Sequence, residues 1–315
     1  DLRTLGVHAL PLDLSTTYPF ESIGSAVESL DEMMAGRGPT AEGGPVYSRL
    51  HSPTVARFED GLAAMESTEA AVAFASGMAA ITAALLAARS ASGANGVSGD
   101  GAASGEDSAS GARGKNHVVG VKPIYGTTDK LLSSGMLGFD VTWTDARGVA
   151  QAVREDTCLV CVETPVNPTL DLIDLEDIVA QASGVPVMCD STFATPVLQR
   201  PAAHGVALVV HSGTKFIGGH GDVLAGVVAC SAEWARHLRN ARILTGANLH
   251  PLAAYMLHRG LPTLPLRVRR AQETATDLAA RLTAHPAVSN VYHPSVPGRD
   301  PNGLVGRQMD GPGPM

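Results

Sequence analysis

The chain reads as an α/β protein in which a mainly parallel sheet is covered by helices on both faces. Three observations predict this: short apolar runs recur along the chain, segments of helical periodicity separate most of them, and the runs are apolar throughout. A strand buried on both faces has no solvent side for polar residues, so unbroken apolar runs point to a covered parallel sheet.

The strand candidates, in order, are "AVAFAS" (71–76), "HVVGV" (117–121), "FDVTWT" (139–144), "CLVCVE" (158–163), "VPVMCD" (185–190), "VALVVHS" (206–212) and "VLAGVVAC" (223–230). Helical patterns lie between them, including "TVARFEDGLAAMES", "MAAITAALLAAR" and "LEDIVAQAS". The first of these helices starts with Ser52 as a candidate N-cap and Pro53 at the first helical position. From His250 the pattern changes to long amphipathic helices, "LAAYMLHRG" and "LRVRRAQETATDLAARLTAHP". "VSNVYHP" (288–294) then reads as the first strand of a smaller α/β domain that is incomplete at Met315. The expected organisation is therefore an N-terminal arm over 1–50, a large domain over 51–249, and linking helices with the start of a small domain over 250–315. The stretch 90–114 is nearly all Ser, Gly, Ala and Asp, has no apolar period, and reads as a flexible insertion in the large domain.

Composition narrows the function classes. At 315 residues with 44% apolar and 17% charged residues, the chain can bury a large core. A net charge of -8 argues against nucleic acid or an anionic membrane surface as the main partner. No apolar run reaches the roughly 18 residues of a membrane span, and the start "DLRTLGVHAL" lacks a basic segment followed by an apolar one, so the expected location is cytoplasmic. "CLVC" has C-x-x-C spacing, but it lies in a strand candidate where residues three apart face opposite ways, and no second Cys/His pair completes a zinc set. Reduced structural thiols and no metal are expected.

In open α/β sheets ligands sit at the carboxyl ends of the strands. Chemistry-bearing residues fall there repeatedly: Asp190 closes "VPVMCD", Ser212, Thr214 and Lys215 follow "VALVVH", and Glu163 with Asn167 follows "CLVCV". Gly77 and Met78 link "VAFAS" to the next helix, a turn whose backbone N–H groups and helix dipole suit a phosphate. "HSGTK" adds two hydroxyls beside a lysine but lacks the Walker A spacing, which excludes a nucleoside triphosphate loop. A lysine, a strand-end carboxylate and a phosphate cradle together suggest pyridoxal 5'-phosphate, which needs an amine for its aldehyde carbon and an anion to keep its pyridine nitrogen protonated. Tyr125, in "PIYGTT" just after "HVVGV", is the candidate aromatic cover for the ring.

These residues sit in a longer text that resembles the cystathionine γ-synthase-like group of Cys/Met metabolism enzymes. The matching segments are "YSRLHSPTVARFEDGLAAMES", "ASGMAAI", "YGTT", "ETPVNPTL", "DSTFATPVLQRP", "HSGTKFIGGHGDVLAGVV" and "RGLPTLPLRV", in that order. The resemblance implies the type I aminotransferase-like fold and a pyridoxal phosphate enzyme. It implies that Lys215 carries the cofactor and acts as the catalytic base, that Asp190 pairs with the pyridinium, and that Tyr125 stacks on the ring and serves as acid or base near the leaving group. Gly77, Met78, Ser212 and Thr214 match the phosphate cradle of the same subunit, and Asn167 a position near the phenolic oxygen. Tyr47 and Arg49 match residues that complete the phosphate site of the neighbouring subunit, so a homodimer with shared active sites, and a homotetramer, are expected.

The resemblance also frames the reaction. "GHGD" (219–222) is closer to methionine γ-lyases than to synthases, in which serine is commoner at the Gly221 position. Thr127 stands where those lyases usually carry cysteine. The expected activity is γ-elimination on methionine or cystathionine. The alternatives are γ-replacement, as in a cystathionine γ-synthase or an O-acylhomoserine sulfhydrylase, and a cofactor-binding homologue without turnover, because no residue matches the family's substrate-carboxylate arginine.

Overall fold

The computed structural model describes residues 6–9, 11–94 and 114–315. After α1 (Ile23–Met34) come α2 (Pro53–Glu66), β1 (Ala70–Phe74), α3 (Gly77–Ala94), β2 (His117–Val121), α4 (Gly126–Ser133) and β3 (Asp140–Thr144). The chain continues through α5 (Val149–Ala152), β4 (Thr157–Glu163), α6 (Leu175–Ala182), β5 (Val187–Asp190), α7 (Thr195–Leu198), β6 (Leu208–Ser212) and β7 (Gly226–Cys230). Three helices close it: α8 (Ala232–Thr245), α9 (Pro251–Gly260) and α10 (Leu264–Thr283). All seven expected strands are present.

They form one sheet in the order β1-β7-β6-β5-β4-β2-β3. The pairs from β3 across to β6 are parallel, whereas β7 runs antiparallel to both β6 and β1. The link from β6 to β7 contains no helix to carry the chain back across a face, so the strand returns antiparallel. Alternate residues feed two cores. Val160, Val162, Val187, Val209 and Val227 pack with α2, α6, α9 and α10, and Leu159, Cys161, Met188, Val210 and Val228 pack with α3 and α8. Burial on both faces is why these strands are unbroken apolar runs.

β1 is an edge strand, and its free edge is covered by a buried ion pair. Glu59 accepts the Ala73 N–H at 2.7 Å, while Arg242 donates to the Ala73 carbonyl at 3.0 Å and to Glu59 at 2.6 Å. Both ladder groups of Ala73 are thereby satisfied, and the edge offers no template to another chain there.

Four expectations are corrected. Residues 288–293 form no strand, because no neighbouring strand lies beside them among the described residues to accept the ladder bonds. Residues 90–94 belong to α3 rather than to the insertion; 95–113 lie outside the described residues. Ser52 occupies the N-cap position of α2, yet its side chain makes no cap hydrogen bond and Pro53 alone marks the start. Cys158 and Cys161 do not face opposite ways: the pairing of β2 with β4 shifts register between His117 and Val118, and both thiols enter the α3 and α8 core.

Burial in the two cores keeps the cysteines inert. Burial raises the Cys158 thiol to about 11 and Cys230 to about 12, and pushes Cys161 and Cys189 up as well. At pH 8 a thiol with a pKa of about 11 is about one part in a thousand thiolate, the reactive form. Alkylation by iodoacetamide at pH 8 should therefore begin only once denaturant unfolds the chain; rapid labelling of the native protein would contradict this packing.

Among the described residues no helix is long and apolar enough to cross a membrane, and no group of His, Cys, Asp or Glu side chains is placed to hold a metal ion.

Candidate active site

β2 and β4 are neighbours, but β3 extends the sheet on one side and β5 on the other, so the strand order reverses between them. Loops leaving the carboxyl ends of such strands diverge and leave a crevice. One cavity opens here, lined by Ser76, Gly77, Met78, Tyr125, Glu163, Asn167, Asp190, Thr192, Phe193, Ser212, Thr214 and Lys215, with Ile81 and Leu224 at its apolar parts. Eight of the ten expected site residues thus meet in one place.

Asp190, the last residue of β5, is half-buried in the cavity wall, and desolvation raises its pKa. Its Oδ1 accepts from the Thr192 hydroxyl at 2.5 Å and from the Thr192 N–H at 3.0 Å, and no cation pairs with it among the described residues. A desolvated carboxyl held by two donors but lacking a counter-ion is suited to meet a cationic ligand. Thr192 also accepts the Ser212 N–H at 2.8 Å, which locks the end of β6 to that of β5.

Lys215 leaves β6 in a tight turn, its N–H donating to the Ser212 carbonyl at 3.2 Å. Its position is maintained from below. Arg267 of α10 donates to the Phe216 carbonyl, to the Ile217 carbonyl at 3.2 Å and to the Gly260 carbonyl at 2.9 Å. The segment after Lys215 is therefore pinned to the α9–α10 corner. Its side chain remains exposed at the cavity mouth.

The turn from β1 into α3 lines the cavity with backbone at a helix N-terminus, a geometry suited to an anion. Ser76 accepts the Ala79 N–H at 3.1 Å, leaving the Gly77 and Met78 backbone at the start of an 18-residue helix facing the cavity. Two glycines make the close packing possible. A Cβ on Gly77 would lie 3.2 Å from Ser212 Cβ, and one on Gly226 of β7 would lie 2.1 Å from the Ser76 carbonyl oxygen. The Thr214 hydroxyl already exchanges hydrogen bonds with the Ala225 backbone, donating at 3.2 Å and accepting at 3.0 Å.

Tyr125 stands just before α4, with 39% of its surface exposed over the crevice. Tyr47 and Arg49 are elsewhere: Arg49 donates to the Ile243 carbonyl at 2.8 Å, lies 5.4 Å over the Tyr47 ring, and lines a separate depression with Ser48, Asn248 and His250. They do not join the cavity of their own chain.

Sequence reasoning gave no role to Thr192, Glu163 or Arg267. Thr192 had a signal, since Asp-x-Thr after a strand lets the hydroxyl and N–H turn back onto the carboxylate. Glu163 lies at the strand end, but one of its two partners, the Tyr125 N–H, comes from another loop. Arg267 had none, because its acceptors are backbone carbonyls about fifty residues away. Thr192→Val should weaken ligand binding at Asp190 about tenfold, the worth of one hydrogen bond to a charged group. Titration of the ligand against both proteins checks this; equal affinity would remove Thr192 from the site.

Comparison with known proteins agrees with this geometry. The profile of a family described as Cys/Met metabolism PLP-dependent enzyme matches residues 2–315. The chain is 50% identical over 314 residues to an L-methionine γ-lyase of Brevibacterium aurantiacum, covering 100% of this chain and 72% of that protein. It is 51% identical over 298 residues to an L-methionine γ-lyase of Streptomyces avermitilis, covering 95% and 67% respectively. A crystal structure of cystathionine γ-synthase from Xanthomonas oryzae pv. oryzae, in complex with aminoacrylate and cysteine, superposes with a TM-score of 0.80 at 28% identity, covering 97% of this chain and 71% of that one.

Proposed function

Because the chain belongs to the Cys/Met metabolism family of PLP-dependent enzymes, we propose that it catalyses γ-elimination on methionine, releasing a 2-oxo acid, ammonia and a thiol. The observation that carries the chemistry is the convergence of Asp190, Lys215 and the Gly77–Met78 turn on one cavity. The similarity to two γ-lyases at about half of all positions supports the substrate.

The residues present fit pyridoxal 5'-phosphate. The phosphate would lie on the Gly77 and Met78 N–H groups beside Ser212 and Thr214, where any Cβ on Gly77 would crowd Ser212. The pyridinium would meet the desolvated, cation-free carboxyl of Asp190, Tyr125 would cover the ring, and Asn167 would face the phenolic oxygen. When bound, the cofactor supplies an electron sink that stabilises negative charge left on the substrate. Lys215 would hold the cofactor through its amine, and that amine, when free, would take the substrate Cα proton. Asp190 would keep the ring nitrogen protonated. Tyr125, at the exposed side of the crevice, moves a proton at the departing sulfur.

Tyr47 and Arg49 lie outside their own chain's cavity, which supports a homodimer in which they complete the neighbouring site, and the same reading extends to a homotetramer. Four buried, unpaired thiols support a cytoplasmic location. Mixing inactive Arg49→Ala and Lys215→Ala chains should restore part of the activity through hybrid dimers; no recovery in a verified hybrid would refute shared sites.

The test of the reaction is 2-oxobutanoate release from methionine, cystathionine and O-succinylhomoserine by the full-length holoprotein. Methionine should give the highest kcat/KM. Turnover of O-succinylhomoserine with cysteine, and none of methionine, would assign γ-replacement instead, the reading favoured by Thr127.

A further inference from the structure

Glu163 ends β4 inside the cavity, and its hydrogen-bond partners are both backbone donors. One oxygen accepts the Asn167 N–H at 3.0 Å, and the other accepts the Tyr125 N–H. The donors belong to different loops, the one between β2 and α4 and the one after β4. Among the described residues no other hydrogen bond joins these two loops. Glu163 also stands directly opposite Asp190 in the parallel pairing of β4 with β5.

We propose that Glu163 is a positioning residue whose carboxylate clasps the Tyr125 and Asn167 loops together, and that cancelling the charge of Asp190 tightens the clasp. Two N–H donors, one on each oxygen, are best served by the ionised carboxylate, since the hydroxyl oxygen of a protonated carboxyl is a poor acceptor. Two neighbouring desolvated carboxyls disfavour double ionisation. Burial and the adjacent Asp190 accordingly raise Glu163 to about 8, so that in the ligand-free protein its protonated form predominates at neutral pH. A cationic ring against Asp190 removes the repulsion and returns Glu163 to the carboxylate. The loops bearing the ring-covering tyrosine and the amide side chain are then drawn in as the cofactor arrives. The inference rests on Asp190 being the cation-binding carboxyl, and its test includes an arm without cofactor.

The measurement is amide hydrogen exchange at residues 125 and 167 in the full-length protein at neutral pH. Glu163→Gln is nearly isosteric but turns an amide NH2 toward one of the two donors. In the Asp190→Asn background without cofactor, where the charge opposing Glu163 is gone, it should speed exchange about tenfold at whichever of the two amides faces the NH2, leaving the β4 and β5 amides and the melting temperature unchanged. Asp190→Asn, also without cofactor, should slow both amides several-fold relative to wild type, because it removes the charge opposing Glu163. Adding pyridoxal 5'-phosphate to wild type should slow them too, and this slowing should be lost in Glu163→Gln.

Unchanged exchange at both 125 and 167 when Glu163→Gln is added to Asp190→Asn overturns the clasp. Faster exchange spread across the sheet, with a lowered melting temperature, also overturns it by showing ordinary structural support. If Asp190→Asn slows both amides but pyridoxal 5'-phosphate does not bind, the clasp stands and the cofactor assignment falls.

Discussion

Lys215→Ala should abolish the visible absorbance of lysine-bound cofactor and lower kcat by about a thousandfold or more. A positioned general acid or base contributes about 10² to 10⁴ in rate, and Lys215 is assigned both that role and the cofactor's attachment. The fold should not respond. The side chain is exposed at the cavity mouth, and the turn around it is held by backbone bonds and by Arg267, which the substitution leaves in place. An unchanged melting temperature with a colourless, inactive protein is the expected pattern. A Lys215→Ala protein that kept the band and the rate would remove Lys215 from the chemistry.

Asp190→Asn should separate stability from function in opposite directions. Removing one partner of a buried ion pair costs about 3 to 5 kcal/mol, which corresponds to about a hundredfold or more in cofactor affinity or turnover. Without cofactor the sign reverses. Desolvation raises the folded-state pKa of Asp190, so its ionised form is destabilising. That penalty is absent below the unfolded-state pKa and grows as pH rises through the folded value. At neutral pH the cofactor-free Asn variant should therefore melt at the same temperature as wild type or higher, and the holoprotein lower. Thermal melts of both forms between acid and neutral pH, with kcat alongside, check this. A cofactor-free variant less stable than wild type would show that Asp190 is a structural anion and not a waiting counter-ion.

The legibility of this chain follows from where its residues are buried. The central strands were visible because both faces of the sheet are covered there, as at Val209 and Val210, which enter opposite cores. Lys215, Asp190, Asn167 and Gly77 were visible because the ends of parallel strands are the chemical rim of such a sheet. Two of the readings that failed depended on a partner distant in the chain. "VSNVYHP" has the composition of a strand but no neighbour to pair with, and the C-x-x-C pair changes its facing through a register shift set by β2.

The sequence by itself determined the α/β class, the order of the elements, the identity of the family and most of the residues that line the cavity. Those properties are local: the apolar period of a strand, the helix that follows it and the polar residue at its end are written within a few positions of one another. The tertiary structure alone decided that β7 returns antiparallel beside β6, that Arg267 pins the segment after Lys215, and that Glu163 faces Asp190 while binding the Tyr125 loop. These depend on backbone groups brought together from tens of residues apart, and a backbone donor or carbonyl carries no residue-type signal that a sequence can display.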